Sequence, residues 1–170
     1  MKTQSVKLYS LRYDDVRTYI AAALFVLGNI ALPQLCHAVP NGGRMLLPIY
    51  FFTLIAAYKY GWRAGLLTAV ASPVVNSLMF GMPPAAALPA ILLKSVLLAV
   101  IAGTIAARSH KASLWMLAAA VLGYQLIGTL GEWAIVGNLY AAAQDFRIGV
   151  PGMVLQAVGG WAVINWVIRR

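Results

Sequence analysis

The chain has 170 residues, of which 62% are hydrophobic and only 10% are charged, and its formal net charge is +9. Soluble domains carry about 25% charged residues, so this composition, with a mean hydropathy of +0.80, excludes an ordinary soluble domain and favours a protein embedded in lipid. The single cysteine, Cys36, cannot form a disulfide within the chain, and the basic residues are too scattered to indicate a nucleic-acid-binding face.

Six apolar stretches predict membrane-spanning helices, since about 20 apolar residues are needed to cross a bilayer. They cover residues 18–36, 45–58, 63–81, 86–107, 113–133 and 150–168. The second stretch is short, and Tyr58, Tyr60 and Trp62 are expected to anchor it at the membrane surface. Residues 1–17 are polar and basic and are expected to form a cytoplasmic or interfacial segment that includes a short helix. The predicted fold is an all-α integral membrane protein, in which residues 18–170 form one compact bundle of six transmembrane helices.

The lysines and arginines lie almost wholly in alternate gaps between these stretches. Ten of the thirteen fall in the N-terminal segment, in the second and fourth gaps and at the C-terminus. Only Arg44 and Arg147 fall on the opposite side, and Lys94 lies inside the fourth predicted span. Because an excess of lysine and arginine marks the cytoplasmic side, both termini are expected to be cytoplasmic.

Most polar residues within the predicted spans lie in the outer half of the bundle. Gln125, Thr129 and Glu132 recur at helical spacing and therefore share one face of the fifth span. Lys94 lies about 12 Å deep in the fourth span, at 1.5 Å per residue. This distribution predicts a pocket that opens to the outside and accepts a ring-shaped small molecule. The residues expected to line it are Asn76, Lys94, Tyr124, Gln125, Glu132, Trp133 and Gln156.

Each of these residues also has a simpler interpretation. Amide side chains such as Gln125 and Gln156 can serve only to bond neighbouring helices. Glu132 can be a solvated charge at the membrane surface. For Lys94 three roles are open, namely contact with a ligand or coupling charge, an internal pair with Glu132, and extension of its ammonium towards the surface.

Motifs for catalysis are absent from the sequence. It contains no GxxxxGK[ST] phosphate loop, no HExxH pair and no GxSxG elbow. Only four acidic residues occur, at Asp14, Asp15, Glu132 and Asp145. The sequence therefore predicts a protein that is not an enzyme and that uses no metal and no cofactor.

Several stretches are similar to a known transporter family. They are GGRMLLPIYFF (42–52), YGWRAG (60–65), SPVVN (72–76) and FGMPP (80–84). Over about residues 37–108 the chain resembles the S components of bacterial energy-coupling factor (ECF) transporters, which are the substrate-binding membrane subunits. The substrate subgroup is not identified by these motifs.

The resemblance implies a six-helix bundle in the bacterial cytoplasmic membrane that captures a vitamin or similar micronutrient from outside. It implies a pocket that includes Lys94, Tyr124, Gln125, Glu132 and Gln156. The first outer loop, with His37, Asn41 and Arg44, would cap that pocket. The implied partners are a membrane coupling subunit and two cytosolic ATPases.

Family members commonly present small residues in the first span for docking of the coupling subunit. In this chain the corresponding small residues are Ala21, Ala22 and Gly28, with the bulky Phe25 between them.

Two other functions fit the same topology. A structural scaffold similar to the rod-shape protein MreD would need no pocket, so its polar residues would pack against each other. A stand-alone secondary carrier would use Lys94 and Glu132 as coupling charges.

Overall fold

The structure is a computed structural model that describes residues 6–169, and within that range the chain is helical without any strand. The helices are α1 (Val16–Cys36), α2 (Gly42–Leu46), α3 (Phe51–Tyr60), α4 (Trp62–Phe80), α5 (Leu88–Ser109), α6 (Leu114–Val136), α7 (Leu139–Ala142), α8 (Gln144–Ile148) and α9 (Val150–Val167). A 3₁₀ turn, Pro48–Tyr50, joins α2 to α3. The all-α prediction is confirmed for the described residues.

Five of these helices, namely α1, α4, α5, α6 and α9, are long and apolar enough to cross a membrane. The chain is accordingly a multi-pass membrane protein by helix length and composition. The predicted helices at these five places are confirmed. The largest difference in boundary is at the end of α6, which stops at Val136 instead of residue 133.

The second predicted span, residues 45–58, is not one continuous helix. The helix breaks at Leu47, whose φ of 48° places it in the left-handed region. Pro48 follows directly, and steric contact with a proline ring disfavours helical geometry for the residue before it. The result is a broken segment in which α3 contributes only 10 residues, or about 15 Å.

Helix α3 forms the centre of the bundle and contacts α1, α4 and α5. Its residues Leu54, Ile55, Ala56, Ala57 and Tyr58 are completely buried. A helix surrounded by protein on all sides faces little lipid, so the length rule for a lipid-exposed span does not constrain it. This position accounts for a core helix that is shorter than its neighbours.

The turn between α3 and α4 depends on glycine. Gly61 has a φ of 101°, a conformation that favours glycine. Helices α3 and α4, which this glycine joins, pack closely next to the turn. A Cβ atom on Gly65 would lie 2.7 Å from Cα of Ala57. The spacing of Ala57, Gly61 and Gly65 therefore serves tight packing across this turn.

One end of the bundle gathers both ends of the described chain. The Lys59 ammonium donates hydrogen bonds to the carbonyl oxygens of Lys7 at 2.6 Å and Arg169 at 3.4 Å. The Tyr58 hydroxyl donates to the carbonyl oxygen of Lys111 at 2.8 Å, in the turn between α5 and α6. The segment before α1, the α3–α4 turn, the α5–α6 turn and the C-terminus thus lie together.

The segment before α1 is not the short helix that its composition suggests. Residues 6–15 are non-helical and bond to the end of α3, with the Tyr9 amide donating to Lys59 and the Leu11 amide donating to Tyr60. Val6 and Leu11 are buried in this contact, which replaces the expected burial in lipid headgroups. Residues 1–5 of the predicted segment lie outside the described range.

At the opposite end, the first loop rests on the start of α9. A Cβ atom on Gly152 would lie 2.5 Å from the carbonyl oxygen of Leu46. A Cβ atom on Gly149 would lie 2.9 Å from Cδ1 of Leu47 and 2.7 Å from the carbonyl oxygen of Asp145. Glycine at both positions permits close packing of α2, α8 and α9. This packing places Leu47 near Asp145.

Candidate functional site

A buried ion triad is the most unusual feature of the bundle. The ammonium of Lys94 on α5 lies 2.6 Å from Oε2 of Glu132 on α6 and 2.7 Å from Oδ2 of Asp145 on α8. The exposed fractions of the three side chains are 3%, 21% and 10%, respectively. The internal pair of Lys94 with Glu132, one of the roles open from the sequence, is present, and a second carboxylate joins it.

The local packing of α5 on α6 explains how Lys94 is held. A Cβ atom on Gly128 would lie 2.6 Å from Cγ of Lys94, so the lysine stem runs directly over this glycine. The stem follows the α6 face that carries Gln125 and Thr129 before its ammonium reaches Glu132. A buried ammonium is costly alone, and two carboxylates within hydrogen-bonding distance compensate the lost hydration.

Sequence reasoning did not include Asp145 in the site. The residue lies in a stretch without long helical periodicity, where the structure forms the short α7 and α8. A signal was nevertheless present, because Asp145 is one of only four acidic residues and one of two outside the N-terminal segment. A lysine inside a predicted span requires a counter-charge, and both available carboxylates serve it.

A second, separate chain of hydrogen bonds joins α6 to α9. The Tyr124 hydroxyl donates to Oε1 of Gln156 at 2.9 Å and accepts from Nε2 of Gln125 at 3.0 Å. Nε2 of Gln156 donates in turn to the carbonyl oxygen of Leu47 at 3.5 Å. Tyr124, Gln125 and Gln156 are fully buried, and the ring of Tyr50 lies 5.4 Å from that of Tyr124. The network connects α6, α9 and the break in the helix at Leu47.

The local shape of α9 contributes to this placement. Leu155–Gly159 forms a π-helical turn, and Gln156 lies within it. Single π-helical turns inside α-helices are rare and occur frequently at functional sites, where they shift a side chain out of the regular register. The residue pattern around Gln156 does not indicate this turn.

Four buried side-chain atoms lack a hydrogen-bond partner among residues 6–169. They are Asn76 Oδ1, Ser95 Oγ, Gln125 Oε1 and Thr129 Oγ1. Two of them, on Gln125 and Thr129, belong to the cluster around the triad, since they share a helix face with Glu132. Buried polar atoms are normally paired, so these two atoms mark the cluster as incompletely satisfied. We call Lys94, Tyr124, Gln125, Thr129, Glu132, Asp145 and Gln156 the buried polar cluster.

Asn76, which was predicted to line the same pocket, belongs to a different network. Its amide nitrogen donates to the carbonyl oxygens of Asn29 at 3.0 Å and Ser72 at 2.9 Å. The Asn29 amide in turn donates to the hydroxyls of Thr53 at 3.0 Å and Ser72 at 3.1 Å. These bonds join α1, α3 and α4, in agreement with the interpretation of such amides as links between helices.

The remaining predicted site residues are exposed. His37, Asn41 and Arg44 lie on the surface of the first loop, and Trp133 is 45% exposed. Their side chains form no hydrogen bond to the buried polar cluster in the described structure. The first loop reaches the cluster through Leu47 instead, whose carbonyl oxygen accepts from Gln156.

The small residues predicted for partner docking face the interior. Ala21 and Ala22 are buried, and a Cβ atom on Gly28 would lie 2.8 Å from the Phe52 ring. Docking through these three residues would therefore require α1 to move away from the rest of the bundle. The exposed side of α1 carries large apolar residues such as Ile20 and Leu24.

Comparison with protein-family models, with curated proteins and with solved structures finds no match to this chain. Among the described residues, no group of three or more His, Cys, Asp or Glu side chains is placed to hold a metal ion. Any functional conclusion consequently depends on the chemistry of the buried polar cluster. That chemistry comprises one ammonium, two carboxylates and several hydrogen-bonding groups shielded from solvent.

Proposed function

We propose that this chain is the substrate-binding membrane subunit of an ECF-type importer, which captures a vitamin or related micronutrient for ATP-driven uptake. The observation that carries the proposal is the incompletely satisfied buried polar cluster between α5, α6, α8 and α9. Ionisable groups at membrane depth are costly, and they are typical of substrate and ion sites. The partners would be a membrane coupling subunit and two cytosolic ATPases, and the membrane would be the bacterial cytoplasmic membrane.

The proposed topology has six crossings with both termini in the cytoplasm. Five of the crossings would be α1, α4, α5, α6 and α9. The remaining one, second in chain order, would be the broken segment formed by α2, the Pro48–Tyr50 turn and α3. An even number of crossings is supported by the Lys59 contacts, which hold the N-terminal segment and Arg169 at one end of the bundle. That end also carries most of the basic residues, which favours the cytoplasmic side.

The cluster would lie beneath the outer surface in this orientation. Lys94, Tyr124, Gln125, Glu132 and Gln156 would line the substrate site. The first loop, which includes His37, Asn41 and Arg44, would cover it through its contact with α9.

Binding to the purified chain tests the proposal directly. The protein should be purified in mild detergent, and any small molecule that accompanies it should be identified by mass spectrometry. Titration with a panel of water-soluble vitamins should give saturable binding to the folded protein. A folded chain that carries no small molecule and binds no member of the panel would contradict the proposal.

Uptake experiments distinguish an importer subunit from a carrier that acts alone. Cells that express this chain with a coupling subunit and its ATPases should accumulate the identified ligand, and cells that express this chain alone should not. Uptake by the chain alone would instead favour a secondary carrier in which the Lys94–Glu132–Asp145 triad supplies the coupling charge.

A structural scaffold is the second candidate, and the internal pairing of polar groups favours it. Within the ion triad, and separately within the Tyr124–Gln125–Gln156 chain, the polar groups satisfy much of their own hydrogen-bonding capacity, as a scaffold without a ligand would require. The unpartnered side-chain oxygens of Gln125 and Thr129 favour a ligand site instead. Altered cell shape on deletion of the gene, with unchanged vitamin uptake, would support the scaffold.

A further inference from the structure

We propose that the ligand of the buried polar cluster carries a cationic group that is rich in hydrogen-bond donors, such as an ammonium or amidinium. This inference rests on the proposed function and specifies the substrate class of the same site. From the sequence alone, a basic residue within the fourth span and an acidic one near the rim would instead suit a zwitterion or an anion with a polar ring.

The first argument is the charge balance. Two carboxylates, those of Glu132 and Asp145, face the single ammonium of Lys94, so the ionised triad retains one negative charge. Arg147 does not neutralise it, because its guanidinium lies over the Tyr140 ring at 3.5 Å and is exposed. Lys94 is already engaged by two carboxylates and is poorly placed to attract a ligand anion. Electrostatics in this shielded position favour a second cation.

The second argument is the balance of donors and acceptors. Lys94 contacts one oxygen of each carboxylate, and the second oxygens, Glu132 Oε1 and Asp145 Oδ1, receive no hydrogen bond from residues 6–169. Oε1 of Gln125, which can only accept, also lacks a donor. The hydroxyl of Thr129, which is also unpartnered, can accept as well as donate. The cluster therefore lacks donors, and an ammonium or amidinium supplies several of them in one group.

The third argument is the shared location of these atoms. Gln125, Thr129 and Glu132 lie on one face of α6, and the stem of Lys94 passes over Gly128 on that same face. Glu132 is the most exposed member of the triad, at 21%. A cation that enters the cluster would therefore meet the Glu132 carboxylate first.

Matched pairs of probes test this inference on the full chain in lipid nanodiscs. Each pair has the same ring but carries either an amine or a carboxylate, namely benzylamine and benzoate, tryptamine and indole-3-acetate, and pyridoxamine and 4-pyridoxate. We expect the amine of at least one pair to bind more than tenfold more tightly than its carboxylate at neutral pH, measured by calorimetry. A preference for the carboxylate members, or equal affinity within every pair that binds, would overturn the inference.

Two variants locate the effect. Glu132→Gln and Asp145→Asn should each weaken binding of the preferred amine by more than tenfold, because each removes one negative charge while nearly keeping the side-chain shape. Asp14→Asn makes the same chemical change at an exposed position and should leave affinity unchanged. Amine binding that survives in both site variants would also refute the inference. The amine preference of the unaltered protein tests it even if a variant fails to fold.

The outcome also separates this inference from the proposed function. If no probe binds, the charge of the accompanying molecule, or of the vitamin that binds from the panel, decides the substrate class. An anionic ligand would refute the cationic class and leave the importer proposal intact. A folded protein that binds nothing at all would contradict both.

Discussion

At the scale of single residues, Lys94 supports the strongest prediction about stability. Replacing it with methionine leaves Glu132 and Asp145 facing each other without a cation. Removing one member of a buried ion pair costs about 3–5 kcal/mol, because the remaining charge is left uncompensated. We therefore expect Lys94→Met to lower the thermal midpoint of the purified protein markedly, as followed by scanning fluorimetry in nanodiscs.

Two further variants test the explanation. Lys111→Met removes an exposed lysine at the other end of the bundle and should have little effect. Combining Lys94→Met with Glu132→Gln and Asp145→Asn removes all three charges and should recover much of the lost stability. If the triple variant is less stable than Lys94→Met, the cost does not arise from unpaired carboxylates.

The residues of the cluster differ in how far the sequence could predict them. Gln125 and Glu132 can be predicted from the sequence because helical spacing alone places them on one face. Lys94 can be predicted because a charge within an apolar stretch is costly and indicates a functional or pairing role. Asp145 cannot, because its position near Lys94 depends on how α8 folds back over the bundle. Asn76 is predicted to line the same pocket, but it lies in the network that joins α1, α3 and α4. Depth in the membrane does not specify which neighbouring helix a side chain meets.

At the scale of helices, α5 lies in close contact with the start of α4, and this contact leads to a prediction about thermal stability. A Cβ atom on Gly103 would lie 2.7 Å from the backbone nitrogen and Cα of Trp62, and backbone atoms cannot move aside cheaply. Gly123 on α6 is the matched control, because a Cβ atom there meets only Ile101 at 3.6 Å. Gly103→Ala should therefore lower the thermal midpoint, by analogy with overpacked cores that lose about 1–3 kcal/mol.

Gly123→Ala should be neutral or slightly stabilising, since alanine favours a helix more than glycine does. Equal effects of the two substitutions would mean that α4 and α5 do not approach each other as closely as described. Measuring both proteins in the same lipid excludes a general effect of the membrane environment.

The start of α1 provides a prediction about pH. Asp15 caps this helix, since its carboxylate accepts from the backbone amide of Arg17 at 2.9 Å. The hydrogen bonds from the Arg17 side chain, and then that from its amide, lower the pKa of Asp15 below its ordinary value of 3.8. A lowered pKa stabilises the folded state above pH 3.8, and this contribution is lost as the pH falls through the lowered value.

Asp15→Ala should accordingly reduce thermal stability at neutral pH, and the difference from the unaltered protein should shrink at strongly acidic pH. Asp14→Ala is the control, because Asp14 is exposed and does not cap the helix. A penalty for Asp15→Ala that is the same at both pH values would show that the carboxylate charge is not responsible.

Helix positions were predicted better than helix continuity. Hydropathy specifies where a long apolar helix runs, so α4 and α5 begin and end within two residues of their predicted limits. The break at Leu47 was indicated by Pro48, yet the apolar run across it led to the prediction of a single span. The π-helical turn around Gln156 depends on packing between helices and cannot be derived from composition.

At the scale of the whole molecule, charge and structure give independent support for the same arrangement. The alternation of basic residues along the sequence assigns the gaps between spans to the two sides of the membrane, and this assignment uses no structural contact. The Lys59 and Tyr58 hydrogen bonds bring two of those gaps and both described chain ends together without reference to charge. Among residues 6–169, five helices are both long and apolar enough to cross a membrane, so the parity of crossings depends on the broken segment before α4.

Labelling in intact cells tests the resulting topology. After Cys36→Ala removes the single native thiol, cysteine is introduced in separate proteins by Arg44→Cys and by Lys111→Cys, both at exposed positions on opposite ends of the bundle. A membrane-impermeant maleimide should label the first protein in intact cells, and the second only after the cells are opened. The reverse pattern would invert the bundle and place the buried polar cluster near the cytoplasm. Labelling of both proteins in intact cells would mean that the segment from α2 to α3 does not cross the membrane as proposed, which would remove the outward-facing site on which the importer proposal depends.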